Sequence, residues 1–152
     1  MIMEFRIPFS GRAHEYTQEE IGTVLDAMEN AVPLTQGKYL SNFEHSFRAF
    51  QNVEYSFAVI NATSALEIAA QLCLFTDGDE VIIPAHTFTS SAYPFLKHPV
   101  RVIWADIDLD TRVTSAEIIE PLLTDRTRAI VVPHLYGFGV DVSQIVELVN
   151  NR

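Results

Sequence analysis

The sequence predicts an α/β domain on a mainly parallel sheet with flanking helices, preceded by an N-terminal helical segment. Three observations carry this prediction. From Tyr55 onward, short β-branched runs alternate with helical patterns. Those runs are too apolar for a sheet with one wet face, so helices must cover both sides. Before that point the periodicity is helical only. Residues 1–52 are therefore read as the helical segment and 53–152 as the α/β portion.

The elements follow in order. Thr17-Gln18-Glu19-Glu20 has the form of a capping box, and Ile21, Val24, Leu25 and Met28 follow at helical spacing. This helix should end before Pro33. Ser41-Asn42-Phe43-Glu44 reads as a second capping box, with Phe43, Phe47 and Phe50 on one stripe. Tyr55 to Ile60 reads as a buried strand. Ser64 to Phe75 reads as a helix with Leu66, Ala69, Ala70 and Cys73 inward. Asp77-Gly78 turns the chain into a strand from Glu80 to Ile83. Thr89 to Leu96 is helical but limited by Pro94. Val100 to Ala105 and Ala129 to Val132 are further strands. Between them Thr114-Ser115-Ala116-Glu117 caps a helix that Pro121 shortens. Asp141 caps a last helix carrying Ile145, Val146 and Val149.

Composition narrows the function. The chain has 152 residues, 48% hydrophobic and 20% charged, which is ordinary for a globular domain. A formal net charge of −10 disfavours nucleic acid and anionic membrane as partners. No apolar stretch is long enough to span a bilayer, and the start, Met1 to Arg6, lacks the pattern of a secretory signal. With Cys73 as the single cysteine, no internal disulfide forms and a cytoplasmic location is expected.

In parallel sheets ligands gather beyond the carboxyl ends of strands. Three short motifs are predicted there. Asn61-Ala62-Thr63-Ser64-Ala65-Leu66 passes from a strand into a helix, leaving backbone N–H groups at the positive end of the helix dipole. A phosphate placed there would collect those groups and the hydroxyls of Thr63 and Ser64. A plain N-cap by Asn61 or Thr63 accounts for the same residues. His86-Thr87-Phe88 follows the next strand. His134-Leu135-Tyr136-Gly137 follows the last, where a buried His134 donating to a carbonyl and an unusual angle at Gly137 would fix a turn.

Other chemistries fit less well. Asp106, Asp108, Asp110 and Glu117 echo a calcium loop, but Thr111 replaces its turn glycine and a strand pattern precedes it. The five histidines show no ligand spacing, so no metal site is expected. No Gly-x-Ser-x-Gly elbow, P-loop or Gly-x-Gly-x-x-Gly occurs.

The succession of these motifs, with Gly78-Asp79-Glu80-Val81-Ile82-Ile83-Pro84 between them, resembles the first part of the DegT/StrS-type sugar aminotransferases, pyridoxal-phosphate enzymes of the aspartate aminotransferase superfamily. The resemblance runs from about Pro8 to Arg152. It implies an incomplete fold type I large domain. It implies that Ala62, Thr63 and Ser64 bind the phosphate of pyridoxal 5′-phosphate, with Ala62 where many members have glycine. It implies that Phe88 stacks on the pyridine ring and that His86, His134 and Tyr136 border the substrate pocket. Gln36 to Leu40 with Phe43 and Glu44 resembles the family's segment near the dimer interface.

The implied reaction moves an amino group from glutamate or glutamine to a keto-sugar, often nucleotide-linked, in a homodimer. The lysine that bonds the cofactor and the carboxylate for its ring nitrogen are expected further along than Arg152. No catalytic residue is assigned to this chain, and alone it is expected to be inactive. Two alternatives stand beside this reading: a non-catalytic module that binds a ligand or partner, and part of a pyridoxal-phosphate sugar dehydratase, which differs mainly at the lysine position.

Overall fold

The computed structural model describes residues 14–151. The leading segment, on which the reading of the start at Met1 to Arg6 and the beginning of the resemblance at Pro8 fall, lies outside the described residues, as does Arg152. The chain forms two units that meet in sequence between Ala58 and Val59.

The first unit carries α1 (Gln18–Asn30) and α2 (Lys38–Gln51). The expected capping box opens α1: the Thr17 N–H donates to Glu20 Oε2 at 2.7 Å, and the Glu20 N–H donates to Thr17 Oγ1 at 3.2 Å. The second predicted box is not the start of α2. That helix begins a turn earlier, at Gly37, whose missing Cβ leaves room for the Pro33 carbonyl. Ser41 is thus already helical, and its N–H donates to the Gly37 carbonyl. Freed from capping, Glu44 accepts the Ala58 N–H at 2.8 Å. Neither helix has a buried residue, and Phe43, Phe47 and Phe50 form an exposed stripe.

The second unit holds a three-stranded parallel sheet in the order β2 (Val100–Ala105), β1 (Asp79–Pro84), β3 (Thr127–Ile130). Around it lie α3 (Ala62–Leu72), α4 (Tyr93–Leu96), α5 (Ala116–Ile119) and α6 (Val142–Asn150). β1 is buried along its whole length, as the central strand of a covered parallel sheet must be. Its side chains alternate between two cores. Ile82 packs with Ala105, Ile119, Val140 and Ile145 on one face. Val81 and Ile83 pack with Ala70, Ala92 and Phe95 on the other.

Several expectations are corrected. Tyr55 to Ile60 is not a buried strand: it joins no ladder among the described residues, and Phe57 and Ile60 are exposed. A strand needs a partner for its alternate N–H and C=O groups, and the sheet's edges, β2 and β3, do not supply one. α3 begins at Ala62 and stops at Leu72, because Leu74 takes a left-handed conformation (φ 50°). Only Ala70 of its expected inward residues is fully buried; Leu66 is half-buried, while Ala69 and Cys73 are exposed. The segment 89–96 splits into a 3₁₀ turn and α4, consistent with the restriction imposed by Pro94. In the box predicted at Thr114 to Glu117, Ser115 is the residue before the helix, and the Thr114 hydroxyl is buried without a partner.

Candidate active site

The carboxyl ends of the strands and the N-terminus of α3 are set by local chemistry. Asn61 is the N-cap of α3; its Oδ1 accepts the Ser64 N–H at 2.9 Å. That satisfies one of the helix's unpaired donors. The Ala62 and Thr63 N–H groups have no acceptor among the described residues, nor do the hydroxyls of Thr63 and Ser64. The structure shows the N-cap reading directly: Asn61 caps one amide, and the other two are left without an acceptor among the described residues. Ala62 is helical and has no positive φ, so alanine in place of glycine carries no backbone strain.

β1 continues into the next group. The Ala85 N–H donates to the Ala105 carbonyl at 2.9 Å, extending the ladder just past Pro84. The Thr87 hydroxyl then donates to Ser91 Oγ at 2.9 Å and closes the turn after the strand. Phe88, at the head of that turn, is 70% exposed, so its ring offers an open apolar face. α3 packs against the 3₁₀ turn that Phe88 precedes and against α4.

β3 leads to the third group. The Val131 N–H donates to the Ile82 carbonyl at 2.9 Å. His134 is exposed rather than buried, and it accepts rather than donates: its Nδ1 takes the Val140 N–H at 3.0 Å. That bond fixes the tautomer with the proton on Nε2. Gly137 has the expected unusual angle (φ 84°), and Tyr136 shares it (φ 55°). The left-handed step at Tyr136 presents its ring to His86, with centroids 6.3 Å apart and planes at 56°. The structure thus brings together His86 and Tyr136, from the ends of two adjacent strands.

Neither lysine is a free amine. Lys97 is paired with Glu67 and lies 4.6 Å from the Tyr93 ring centroid. Lys38 pairs with Asp26 at 3.6 Å and lies over the Tyr39 ring. Hydrogen bonding to Glu67 holds the Lys97 ammonium above its usual range. Hydrogen bonding to Tyr39 and the charge of Asp26 do the same for Lys38. Amines held protonated are poor nucleophiles. The acidic loop after β2 is likewise occupied: Asp108 Oδ1 accepts the N–H groups of Asp110 and Thr111 at 3.0 and 2.8 Å. Glu117 is held by Ser115.

A hollow of about 630 Å³ lies elsewhere, at the outer edge of β3, where Ile130 and Val132 meet Val142, Val146 and Val149 of α6. It contains none of the residues above. It is a largely apolar space beside an edge strand, with Asp125 and Arg128 among the residues that line it.

Sequence reasoning missed two features. The pairing of His86 with Tyr136 was not legible because it depends on strand register. The burial of Glu80 was missed because it was read only as the start of a strand. Its signal was present in Arg101 and Arg126, placed at the amino ends of the neighbouring strands.

Comparison with known proteins identifies the family. Residues 14–152 match the model of the DegT/DnrJ/EryC1/StrS aminotransferase family. The chain is 33% identical over 143 residues to GDP-perosamine synthase of Escherichia coli O157:H7, covering 94% of this chain and 37% of that protein. It is 33% identical over 106 residues to L-glutamine:2-deoxy-scyllo-inosose aminotransferase of Streptomyces fradiae, covering 70% of this chain and 25% of that protein. Among solved structures, an aminotransferase from Psychrobacter cryohalolentis aligns with a TM-score of 0.81 at 30% identity, covering 95% of this chain and 36% of that one. The E. coli GDP-4-keto-6-deoxy-D-mannose-3-dehydratase with bound hydrated PLP aligns with a TM-score of 0.78 at 25% identity, over 95% of this chain and 38% of that one. The chain thus spans between a quarter and little more than a third of the length of such relatives, and it matches their N-terminal part. It belongs to the DegT/DnrJ/EryC1/StrS aminotransferase family.

Proposed function

We propose that this chain is the N-terminal part of a pyridoxal-phosphate-dependent aminotransferase that moves an amino group from glutamate or glutamine to a nucleotide-linked keto-sugar. Residues 53–152 are the first part of its cofactor-binding large domain. The observation that carries this reading is the N-terminus of α3, with two amides and two hydroxyls that have no partner among the described residues, at a helix dipole's positive end. This donor set fits a phosphate ester. The Ala62 and Thr63 amides and the Thr63 and Ser64 hydroxyls would hold the phosphate, and the open face of Phe88 would stack on the ring. When bound, pyridoxal phosphate supplies the electron sink for amino transfer.

The residues of this chain bind and orient. His86, Tyr136 and His134 border the side from which a sugar would approach. The Nε2–H of His134 is left free to donate, since Nδ1 is occupied by Val140. No residue here is assigned the role of the cofactor-bonding amine, because Lys38 and Lys97 are held by acidic partners. Alone, the chain is inactive. We place the whole enzyme in the cytoplasm as a homodimer. The likeness to a sugar dehydratase supports a second reading with the same cofactor and the same cup.

The test is a chimera in which this chain replaces the matching first part of E. coli GDP-perosamine synthase. Transfer of ¹⁵N from glutamate to the keto-sugar is the expected result. A folded chimera that retains the cofactor and transfers no ¹⁵N would count against the aminotransferase reading. One that folds and holds no cofactor would refute both.

A further inference from the structure

Glu80 is fully buried and lies at the amino ends of the strands, opposite the candidate site. Its Oε2 accepts the Thr124 hydroxyl at 2.6 Å. Its Oε1 faces Arg101 Nη2 of β2 at 2.9 Å and Arg126 Nη2 at 3.3 Å. Its backbone N–H donates to the Arg126 carbonyl at 2.8 Å. One residue thus ties β1 to β2 and to the turn that feeds β3.

The register of β3 steps at this point. Glu80 pairs with Thr127, but Val81 pairs with Ala129 and Ile82 with Ile130. Arg128 is the extra residue of a β-bulge, and its Nε reaches Asp79 Oδ1 at 3.5 Å. Without the step, Ile82 would stand beside Ala129, and each later side chain of β3 would change faces. The step is what puts Ile130 and Val132 in the core with Ile82, and Ala129 and Val131 in the core with Val81 and Ile83. The offset also carries forward to the carboxyl ends. His86 follows Ile82 by as many residues as His134 follows Ile130, and Tyr136 meets His86 just beyond.

We infer that Glu80, with Thr124 and Arg126, is a positioning residue: it clamps the turn before β3 so that the bulge at Arg128 forms, and so sets Tyr136 against His86 at the far end of the sheet. The β1–β2 ladder is regular from Asp79 to Pro84 and does not need the clamp. The inference does not depend on the cofactor reading, and its test uses the chain without any ligand.

The variants are Glu80→Ala, Arg126→Gln and Thr124→Val, studied by amide hydrogen exchange and by ring-to-ring NMR contacts. Arg126 and Thr124 are exposed, so their variants carry the test if Glu80→Ala does not fold. Exchange at the Val131 amide, which donates to the Ile82 carbonyl, should quicken about tenfold or more while the Ile103 amide, which faces β1 from the other side, stays within about twofold, the pattern of a local opening. The His86–Tyr136 ring contact should weaken in step, and Arg126→Lys should restore it. Exchange that quickens equally over all three strands would overturn the inference, because Glu80 would then be a general stabiliser. So would a folded variant set in which β3 loosens and the ring contact is unchanged.

Discussion

Substitution of Asn61 separates helix capping from phosphate binding, because the two respond with opposite signs. Asn61 Oδ1 lies 2.9 Å from the Ser64 N–H. Asn61→Ala removes this cap and should cost about 1 kcal/mol of stability. Asn61→Asp keeps an acceptor there and adds negative charge at the helix N-terminus, which should be neutral or gain about 0.3–1 kcal/mol. Phosphate binding should run the other way. Asn61→Ala releases the Ser64 N–H as a third donor, so affinity should hold or rise. Asn61→Asp puts a carboxylate ~5 Å from the phosphate, which costs about 1–3 kcal/mol per unit charge at effective dielectric constants between about 80 and 20. That is roughly a fivefold to hundredfold loss of affinity. Stability is read by thermal denaturation. Affinity is read by ³¹P NMR with 4-deoxypyridoxine phosphate, which keeps the ring and phosphate but has no aldehyde to react with lysines. If stability and affinity fall together in both variants, or if Asn61→Asp leaves affinity unchanged, the cup is not at this helix end.

Other outcomes follow from the same geometry. Ile82→Ala, at a fully buried position of the central strand, should cost about 2–5 kcal/mol in urea denaturation; a loss under about 1 kcal/mol would mean that the core is not organised around β1. Thr124's hydroxyl bond and the nearby Arg101 and Arg126 hold the Glu80 carboxyl below its usual range, and the Thr76 N–H does the same for Asp79. A lowered carboxylate pKa stabilises the fold above the unfolded value, so thermal stability should drop as pH falls below about 4–5, and Glu80→Gln should flatten that drop. A stability that rises on acidification would contradict this. Exposed apolar rows on α2 (Phe43, Phe47, Phe50) and α6 (Val142, Val146, Val149) predict self-association in sedimentation velocity; a monodisperse monomer at all concentrations would show that these rows need no cover.

Much of each unit was legible because the signals are local. The Thr17 and Asp141 caps, the turn at Gly78 and the apolar run of β1 each depend on residues within one turn or strand. The failures share a cause. Tyr55 to Ile60 has strand composition, but a strand exists only where a neighbouring strand meets its hydrogen bonds. Ser41 to Glu44 has the letters of a cap, but the helix had already been started at Gly37. His134 was expected to donate because the sequence names the ring and not the backbone amide that approaches it. Of the candidate site, Thr87-Phe88 and the His134 loop could be located from strand ends, whereas the α3 turn was placed after a strand that does not form and was legible from the Asn61 cap instead. The meeting of His86 and Tyr136 could not, since it depends on a bulge at Arg128 near the opposite end of the sheet.

The central claim is that the start of α3 and the face of Phe88 together receive a pyridoxal phosphoester. The most direct measurement is an ¹H–¹⁵N NMR titration of the chain with 4-deoxypyridoxine phosphate, combined with contacts from the ligand's ring protons. The account predicts shifts concentrated at the Ala62 and Thr63 amides and ligand contacts to the Phe88 ring. Shifts confined to other regions, or ligand contacts that bypass Phe88, would contradict it.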